Sequence, residues 1–313
     1  MTTKNPDVII IGAGIIGCAT AFELAKKGYK TLNIDKLDQP GAGPTVNSCA
    51  IVRLSYSTYD GIALAYEGLQ YWRDWENYLE VKDARGLAKF VSNGSLIMKS
   101  AEKRLAQMLA LFDQVGVTYE EWDVPTLKER VPIMSPTAYY PPTRMDDERF
   151  WAESDREISG VIYVHGCGYI SDPQLATHNL MVAAQNYGSE FMFNQTVSDI
   201  RQQADRVAGI TLADGRQIDA PIVINVSGPH SGIINRMAGV EEEMNIKTTP
   251  LRHEVHHVPA PPGTDLDDYM GTAGDSDLGI YYRPEVGQNI LVGSKDPECD
   301  PREWLDHPDE YDR

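Results

Sequence analysis

The first apolar run of the chain, Val8-Ile9-Ile10-Ile11, is uninterrupted and β-branched throughout. That is the pattern of a central parallel strand buried on both faces. It runs directly into Gly12-Ala13-Gly14-Ile15-Ile16-Gly17, and a helical pattern follows from about Ile15 to Lys27, with Gly28 at the C-cap position. A second apolar strand, Thr31-Leu32-Asn33-Ile34, finishes on Asp35. Strand, glycine turn, helix and acid-ended strand form a dinucleotide-binding βαβ unit. Gly12 permits the tight turn, Gly14 lets backbone approach a pyrophosphate, and Gly17 lets the helix pack closely on the sheet. The first helical turn, at Ile15 and Ile16, aims its N–H groups at the phosphates. Asp35, 23 residues after Gly12, is placed to accept the hydroxyl hydrogens of an adenosine ribose. This fingerprint alone does not separate NAD from FAD.

Further along, Asp172-Pro173 is an N-cap/N1 pair that starts a helix running to about Asn186 and stopping near Gly188. Two strands follow, Val207–Leu212 and Gln217-Ile218, joined by the hairpin signal Asp214-Gly215. The apolar strand from Ile222 to Val226 then ends in a Ser-Gly-Pro loop. Mixed patterns around Gly94–Met98 and Gly160–Val164 predict antiparallel sheet, and residues 101–116 predict a helix over it. Residues 135–154, rich in proline, tyrosine and charge, read as a surface loop. Tyr66, Tyr71, Trp72 and Trp75 have the spacing of core packing on a helix rather than of a cofactor box.

Composition narrows the function classes. With 46 acidic and 28 basic residues the formal charge is −18, which repels phosphate backbones and excludes nucleic acid as the expected partner. Cys18, Cys49, Cys167 and Cys299 are scattered, without a Cys-x-x-Cys pair, and read as thiols in a reducing compartment. The N-terminal residues lack a signal-peptide charge pattern, and the apolar run from Val8 to Ala25 is too interrupted for a membrane span. The expectation is a cytoplasmic protein. His253-Glu254-Val255-His256-His257 spells the zincin signature H-E-x-x-H. Its two histidines bind zinc only one helical turn apart, and β-branched residues between prolines predict a strand here instead. No metal site is expected.

Four later segments carry a resemblance. Gly41–Tyr56, containing Thr45-Val46-Asn47-Ser48 and Ile51-Val52-Arg53, resembles a stretch of the glycine/D-amino-acid oxidase family. Sarcosine oxidase and dimethylglycine dehydrogenase are relatives within that family. Gly168–Pro173, Val223–Pro229 and Gly279–Pro284 resemble further elements of the same family, in the same order. The resemblance turns the dinucleotide into FAD. It implies flavin contacts at Gly12, Gly14, Ile15, Ile16, Gly17, Asp35, Lys36, Thr45, Asn47, Ser48, Val197, Ser227 and Gly228.

The implied fold is α/β: a Rossmann-like FAD-binding domain (1–85 and 168–245) interleaved with an α+β substrate-binding domain (86–167 and 246–313) on a mostly antiparallel sheet. The implied reaction moves hydride from a C–H beside an amine nitrogen of a small amino acid or N-methylated amine onto flavin. Arg53 matches the arginine that grips the substrate carboxylate, a task suited to a planar guanidinium. Tyr282 matches an aromatic residue over the substrate, and Arg283 adds positive charge. The oxygen-activating lysine of sarcosine oxidases aligns with Leu291, which favours an acceptor other than oxygen. The family's closing flavin-covering loop has no counterpart before Arg313, so a missing segment or a partner chain is expected to complete the site. A non-catalytic FAD-binding subunit and an NAD-dependent dehydrogenase remain the alternatives.

Overall fold

The computed structural model describes residues 5–99, 105–266 and 271–311. Val8–Ile11 is the inner strand of a four-stranded parallel sheet, flanked by Ile222–Asn225 on one side and Thr31–Ile34 on the other. Glu190–Met192 completes the sheet beyond Thr31–Ile34. Successive side chains of a strand face opposite ways, and the two faces of this sheet are covered differently. Val8 and Ile10 pack with Phe22, Ala21 and Leu180, from helices Ile15–Lys26 and Pro173–Asn186. Ile9 and Ile11 pack with Val197, Ile200, Ile210 and Leu212 of a three-stranded antiparallel meander, Val197–Gln203, Arg206–Leu212 and Gln217–Asp219. Burial on both sides is why the strand reads as an unbroken apolar run. Asp172 caps the Pro173 helix by accepting from Leu175 N at 2.8 Å.

The second lobe is a seven-stranded sheet in the order Val255–Pro259, Asn289–Ser294, Ile280–Glu285, Thr272–Asp275, Ser95–Met98, Val161–Val164, Tyr119–Trp122. Every pairing is antiparallel except that of Thr272–Asp275 with Ser95–Met98. The H-E-x-x-H segment is thus part of an extended edge strand, Val255–Pro259, paired with Asn289–Ser294. The architecture is α/β, with the Rossmann-like unit beside this largely antiparallel lobe.

A small sheet of Ile51–Val52, Gly168–Ile170 and Phe90–Val91 joins the lobes. Residues on either side of the predicted divisions mix in the cores. Ala88 and Phe90 pack into the parallel-sheet core. Ile62 and Leu69 of helix Tyr59–Arg73 pack with Phe112 of helix Leu105–Val115. The start of the predicted 101–116 helix lies outside the described residues; from Leu105 it is helical. Trp75 is buried and stacks on Trp72 with centroids 4.5 Å apart, and Tyr66 packs against the neighbouring core, but Tyr71 is 44% exposed, so the core-packing expectation fails for it. Residues 135–154 are irregular apart from one 3₁₀ turn at Glu148–Trp151. Among the described residues no helix is long and apolar enough to cross a membrane.

Candidate functional site

The glycine turn is set by backbone contacts on both sides. Gly12 has φ +118°, a conformation that L side chains rarely adopt, and a Cβ there would stand 2.4 Å from the Val226 carbonyl oxygen. A Cβ on Gly17 would stand 2.1 Å from the Gly12 oxygen. Asn33, wholly buried on the second strand, donates to the Gly12 and Gly17 oxygens at 3.3 and 3.1 Å and so clamps the turn to the helix. Gly14 differs from both. Its φ is −71°, and an added Cβ would meet only the Thr45 hydroxyl at 3.2 Å. The open side of Gly14 is where a ligand's phosphates can approach.

Helix Ile15–Lys26 starts at Gly14 without a side-chain cap, so its first-turn N–H groups are directed at whatever lies before it. Thr45 accepts from Ile15 N at 3.3 Å. Ile16, on the same turn, is 66% exposed despite being apolar. Asp35 accepts from Ala13 N at 2.7 Å and from Leu37 N at 2.9 Å, which places its carboxylate beside the glycine turn. Residues 194–195 run alongside, with Asn194 N and Gln195 N donating to the Leu37 and Asp35 carbonyls at 2.9 Å. Val197 follows, with its side chain buried in the core against the sheet. The Ser227-Gly228 loop abuts Gly12, and the Ser227 hydroxyl donates to Asn225 at 2.7 Å.

The structure therefore brings Gly12, Gly14, Ile15, Ile16, Gly17, Asp35, Thr45 and Ser227 to one turn, with Gly228 next to Ser227, while Val197 packs in the core of the parallel-sheet unit. Asn47 is exposed in the loop after Thr45, and Ser48 lines the neighbouring cavity. The Lys36 side chain is engaged by a distant part of the chain. Its ammonium donates to Asp309 at 2.6 Å and lies 2.9 Å from His230 Nε2. That triad ties the turn at residues 308–310 to the two loops flanking the dinucleotide groove.

A cavity of about 520 Å³ opens from Ser48 to Ser57 across to the large sheet and helix Leu105–Val115. Arg53 lines it, its guanidinium donating to the Ser55 carbonyl and lying 4.5 Å from the Tyr56 ring centroid. Ile97, Gly274 and Tyr281 share one row of the sheet, as partners directly opposite face the same side. Tyr282, one residue on, lies in the opposite-facing row with Leu96 and Ala273 and packs into the core beneath the sheet. The structure thus turns Tyr282 away from the cavity and puts Tyr281 into it. Burial pushes the Tyr281 hydroxyl up to about 12, with the neighbouring Cys49 thiol adding to the shift. Burial likewise raises Cys49, to which Tyr281 is hydrogen-bonded.

Arg283 is 1% exposed and spends its donors internally, on the Cys49 and Pro284 carbonyls and on Glu285 at 2.7 Å. It stacks on Tyr169 at 4.4 Å and so fastens the 48–57 segment to the sheet instead of adding charge to the cavity. Leu291 stands opposite Arg283, on the cavity-side row. Lys295 and Ser276, hydrogen-bonded to each other, also line the cavity; sequence reading did not single them out.

Residues 7–313 match the family described as DAO, FAD dependent oxidoreductase. The chain belongs to this family. It is 24% identical to a D-amino acid dehydrogenase of Rhodopseudomonas palustris (strain HaA2), over 94% of this chain and 76% of that protein. It is 26% identical to the mitochondrial sarcosine dehydrogenase of Homo sapiens, over 98% of this chain but only 31% of that protein. The fold is similar to that of an L-proline dehydrogenase from P. horikoshii, with TM-score 0.76 and 19% identity, covering 93% of this chain and 70% of that one. It is also similar to a glycine oxidase from Geobacillus kaustophilus, with TM-score 0.73 and 19% identity, covering 96% and 72%.

Proposed function

We propose that the chain binds FAD across the glycine turn and oxidises the C–N bond of a small amino acid or secondary amine in the adjoining cavity. The observation that carries this reading is the adjacency of the two features. Thr45, which touches the first helical turn, leads within eight residues into Arg53, which lines the cavity. A Cβ-sized opening at Gly14, an uncapped helix start and the carboxylate of Asp35 fit the pyrophosphate and ribose of FAD. Gly12, Ile15, Ile16, Gly17, Thr45, Ser227, Gly228 and the Val197 backbone would line that ligand, with Lys36, Asn47 and Ser48 beside it.

FAD, when bound, supplies the hydride acceptor. The chain's own residues bind and orient. Arg53 takes the substrate carboxylate as a charge-assisted, two-pronged hydrogen bond. Tyr281, protonated throughout the physiological range, donates from its hydroxyl and cannot serve as a base. The apolar wall of Ile97, Met98, Met108 and Leu111 excludes water from the reacting carbon. The product imine hydrolyses after release. Leu291 on the cavity-side row supports an acceptor other than oxygen, as does the dehydrogenase activity named for two of the relatives. A segment beyond the matched span, or a partner chain, would complete the flavin cover, and the cytoplasm suits the free thiols.

Purified protein should carry a flavin absorption spectrum in visible light. Anaerobic addition of sarcosine, dimethylglycine, proline or D-amino acids should bleach it. A colourless protein that takes up NAD would replace this reading with a nicotinamide dehydrogenase, and a flavin that no amine reduces would leave a binding subunit. Arg53→Lys should raise KM strongly for every carboxylate substrate, and rapid reoxidation of the bleached flavin by air would refute the Leu291 argument.

A further inference from the structure

Tyr281 stands between two glycines. In the register of the large sheet Gly293 lies directly opposite it on one side and Gly274 on the other, so the three share a row. The Tyr281 ring leans over Gly293, where an added Cβ would overlap the ring and its hydroxyl. Over Gly274 an added Cβ would meet nothing within 4 Å. Gly274 belongs to Thr272–Asp275, the middle strand of the seven, yet it is not buried. Glycine in a strand interior costs stability relative to alanine and marks a place where something approaches the backbone closely. The protein fills one of the two gaps itself and leaves the other open to the cavity.

The two gaps have different surroundings. On the Gly293 side the Tyr281 hydroxyl is hydrogen-bonded to the Cys49 thiol and lies within reach of the charges of Asp296 and Arg53. On the Gly274 side the next residue of the row is Ile97. Leu105, Met108 and Leu111 of helix Leu105–Val115 pack with Ile97 and still line the cavity. Gln107 is that helix's one polar contribution among the described residues. Tyr281 therefore separates a polar end, with Arg53, from an apolar notch over Gly274. The two lie on either side of one ring, adjacent as carboxylate and side chain are in an amino acid. Met108, unbranched and flexible, adapts to what lies against it.

We infer that the notch over Gly274 is the subsite for the substrate's side chain, and that the cavity selects an amino acid with an apolar side chain of about leucine's size over glycine, alanine or sarcosine. Arg53 takes the carboxylate, and the side chain lies on the bare backbone of Gly274 between Tyr281 and Ile97, against Met108 and Leu111. Gly274 is thereby a specificity-determining residue. The inference rests on the amine-oxidoreductase reading for the identity of the reacting bond, but the ligand preference is measurable without turnover.

The test is calorimetric titration of the protein in excess FAD with propanoate and with 4-methylpentanoate, the deaminated forms of alanine and leucine. The longer acid is expected to bind about tenfold or more tightly, the scale of three extra carbons partly withdrawn from water. Gly274→Val fills the notch with a residue that suits a strand, at a position whose backbone does not require glycine. It should bring the two affinities to within about threefold of each other by weakening the longer acid, and Gly274→Ala should fall between. Equal binding of the two acids by the native protein overturns the inference. So does a Gly274→Val variant that weakens both acids alike, or neither. If Gly274→Val does not fold, an unchanged ratio in Gly274→Ala overturns it equally.

Flavin reduction in the same preparation separates this failure from failure of the wider reading. Amines that bleach the flavin alongside equal binding of the two acids leave the oxidoreductase reading standing without a side-chain preference. A Gly274-dependent preference for the longer acid in protein whose flavin no amine reduces supports the subsite and removes the catalytic reading. Where both hold, one enantiomer of leucine should bleach the flavin at lower concentration than alanine or sarcosine.

Discussion

Alanine at Gly14 and alanine at Gly17 are expected to damage different things, although the two glycines belong to one motif three residues apart. At Gly17 the new Cβ would stand 2.1 Å from the Gly12 carbonyl oxygen. That oxygen has nowhere to retreat, because Gly12 is itself pressed against Val226, and Asn33 holds the carbonyls of both glycines. Overpacking against a fixed backbone belongs at the upper end of the usual range, about 3 kcal/mol. For a chain of this size that corresponds to a fall in Tm of roughly 5 °C. At Gly14 the φ of −71° is open to any residue, and the one neighbour is the tip of the Thr45 side chain. Alanine there should leave the Tm of the cofactor-free protein unchanged or raise it slightly, since it removes freedom from the unfolded chain, about 0.4–1 kcal/mol. Its cost falls on the ligand. A methyl group over the first helical turn blocks approach of the pyrophosphate, and losing one charge-assisted hydrogen bond lowers FAD affinity about 10- to 100-fold. Thermal melts followed by circular dichroism, with and without FAD, read both effects. In the native protein FAD at a hundred times its Kd should add about 2.7 kcal/mol, and Gly14→Ala at the same FAD concentration should keep only about 0.4–1.4 kcal/mol of it. The reasoning fails if Gly14→Ala melts as early as Gly17→Ala without cofactor, or if it binds FAD as the native protein does.

Tyr281→Phe should alter substrate KM or kcat while Tyr282→Phe alters only stability; the reverse would mean that the sheet register around the cavity is wrong. Arg283→Met should cost about 3–5 kcal/mol, because it abandons Glu285 and the Cys49 carbonyl in a buried setting, and denaturant unfolding measures this. His230 is held below its usual value by burial and then by the Lys36 ammonium. A depressed pKa means that its contribution to stability is fully present above the unfolded value of about 6.5 and is lost as pH falls through the folded one. Stability against urea should therefore decline on acidification below neutrality, and His230→Gln should flatten that slope; an unchanged slope would show that His230 does not titrate with unfolding. At pH 8 a thiol reagent should label Cys299 first, since Cys18, Cys49 and Cys167 are buried and Cys299 is the more accessible thiol; equal labelling of all four would refute this.

The sequence by itself determined the opening βαβ unit and what it is for. A β-branched run, three glycines at fixed spacing and an acid ending the next strand are local features, each constrained by backbone geometry within about 30 residues. The capped helix at Pro173 and the Asp214-Gly215 hairpin were legible for the same reason. Order along the chain also carried the resemblance that led from a dinucleotide to FAD and to Arg53. Tertiary structure alone decided the rest of the site. Tyr281 and Tyr282 are adjacent and chemically alike, and only the pairing of Ile280–Glu285 with Thr272–Asp275 settles which one faces the cavity. Sheet alternation has period 2, so a shift of one position exchanges the faces, and nothing local distinguishes the two settings. Arg283 reads as a spare cation in the sequence, yet its partner at Cys49 is 234 residues away. Lys36 likewise meets Asp309 across 273 residues. Charges act through space, so which cations stay available to a ligand is fixed by these distant pairings and by no pattern along the chain. Arg53 and Tyr281, far apart along the chain, line one cavity only because the fold places two separate walls around it.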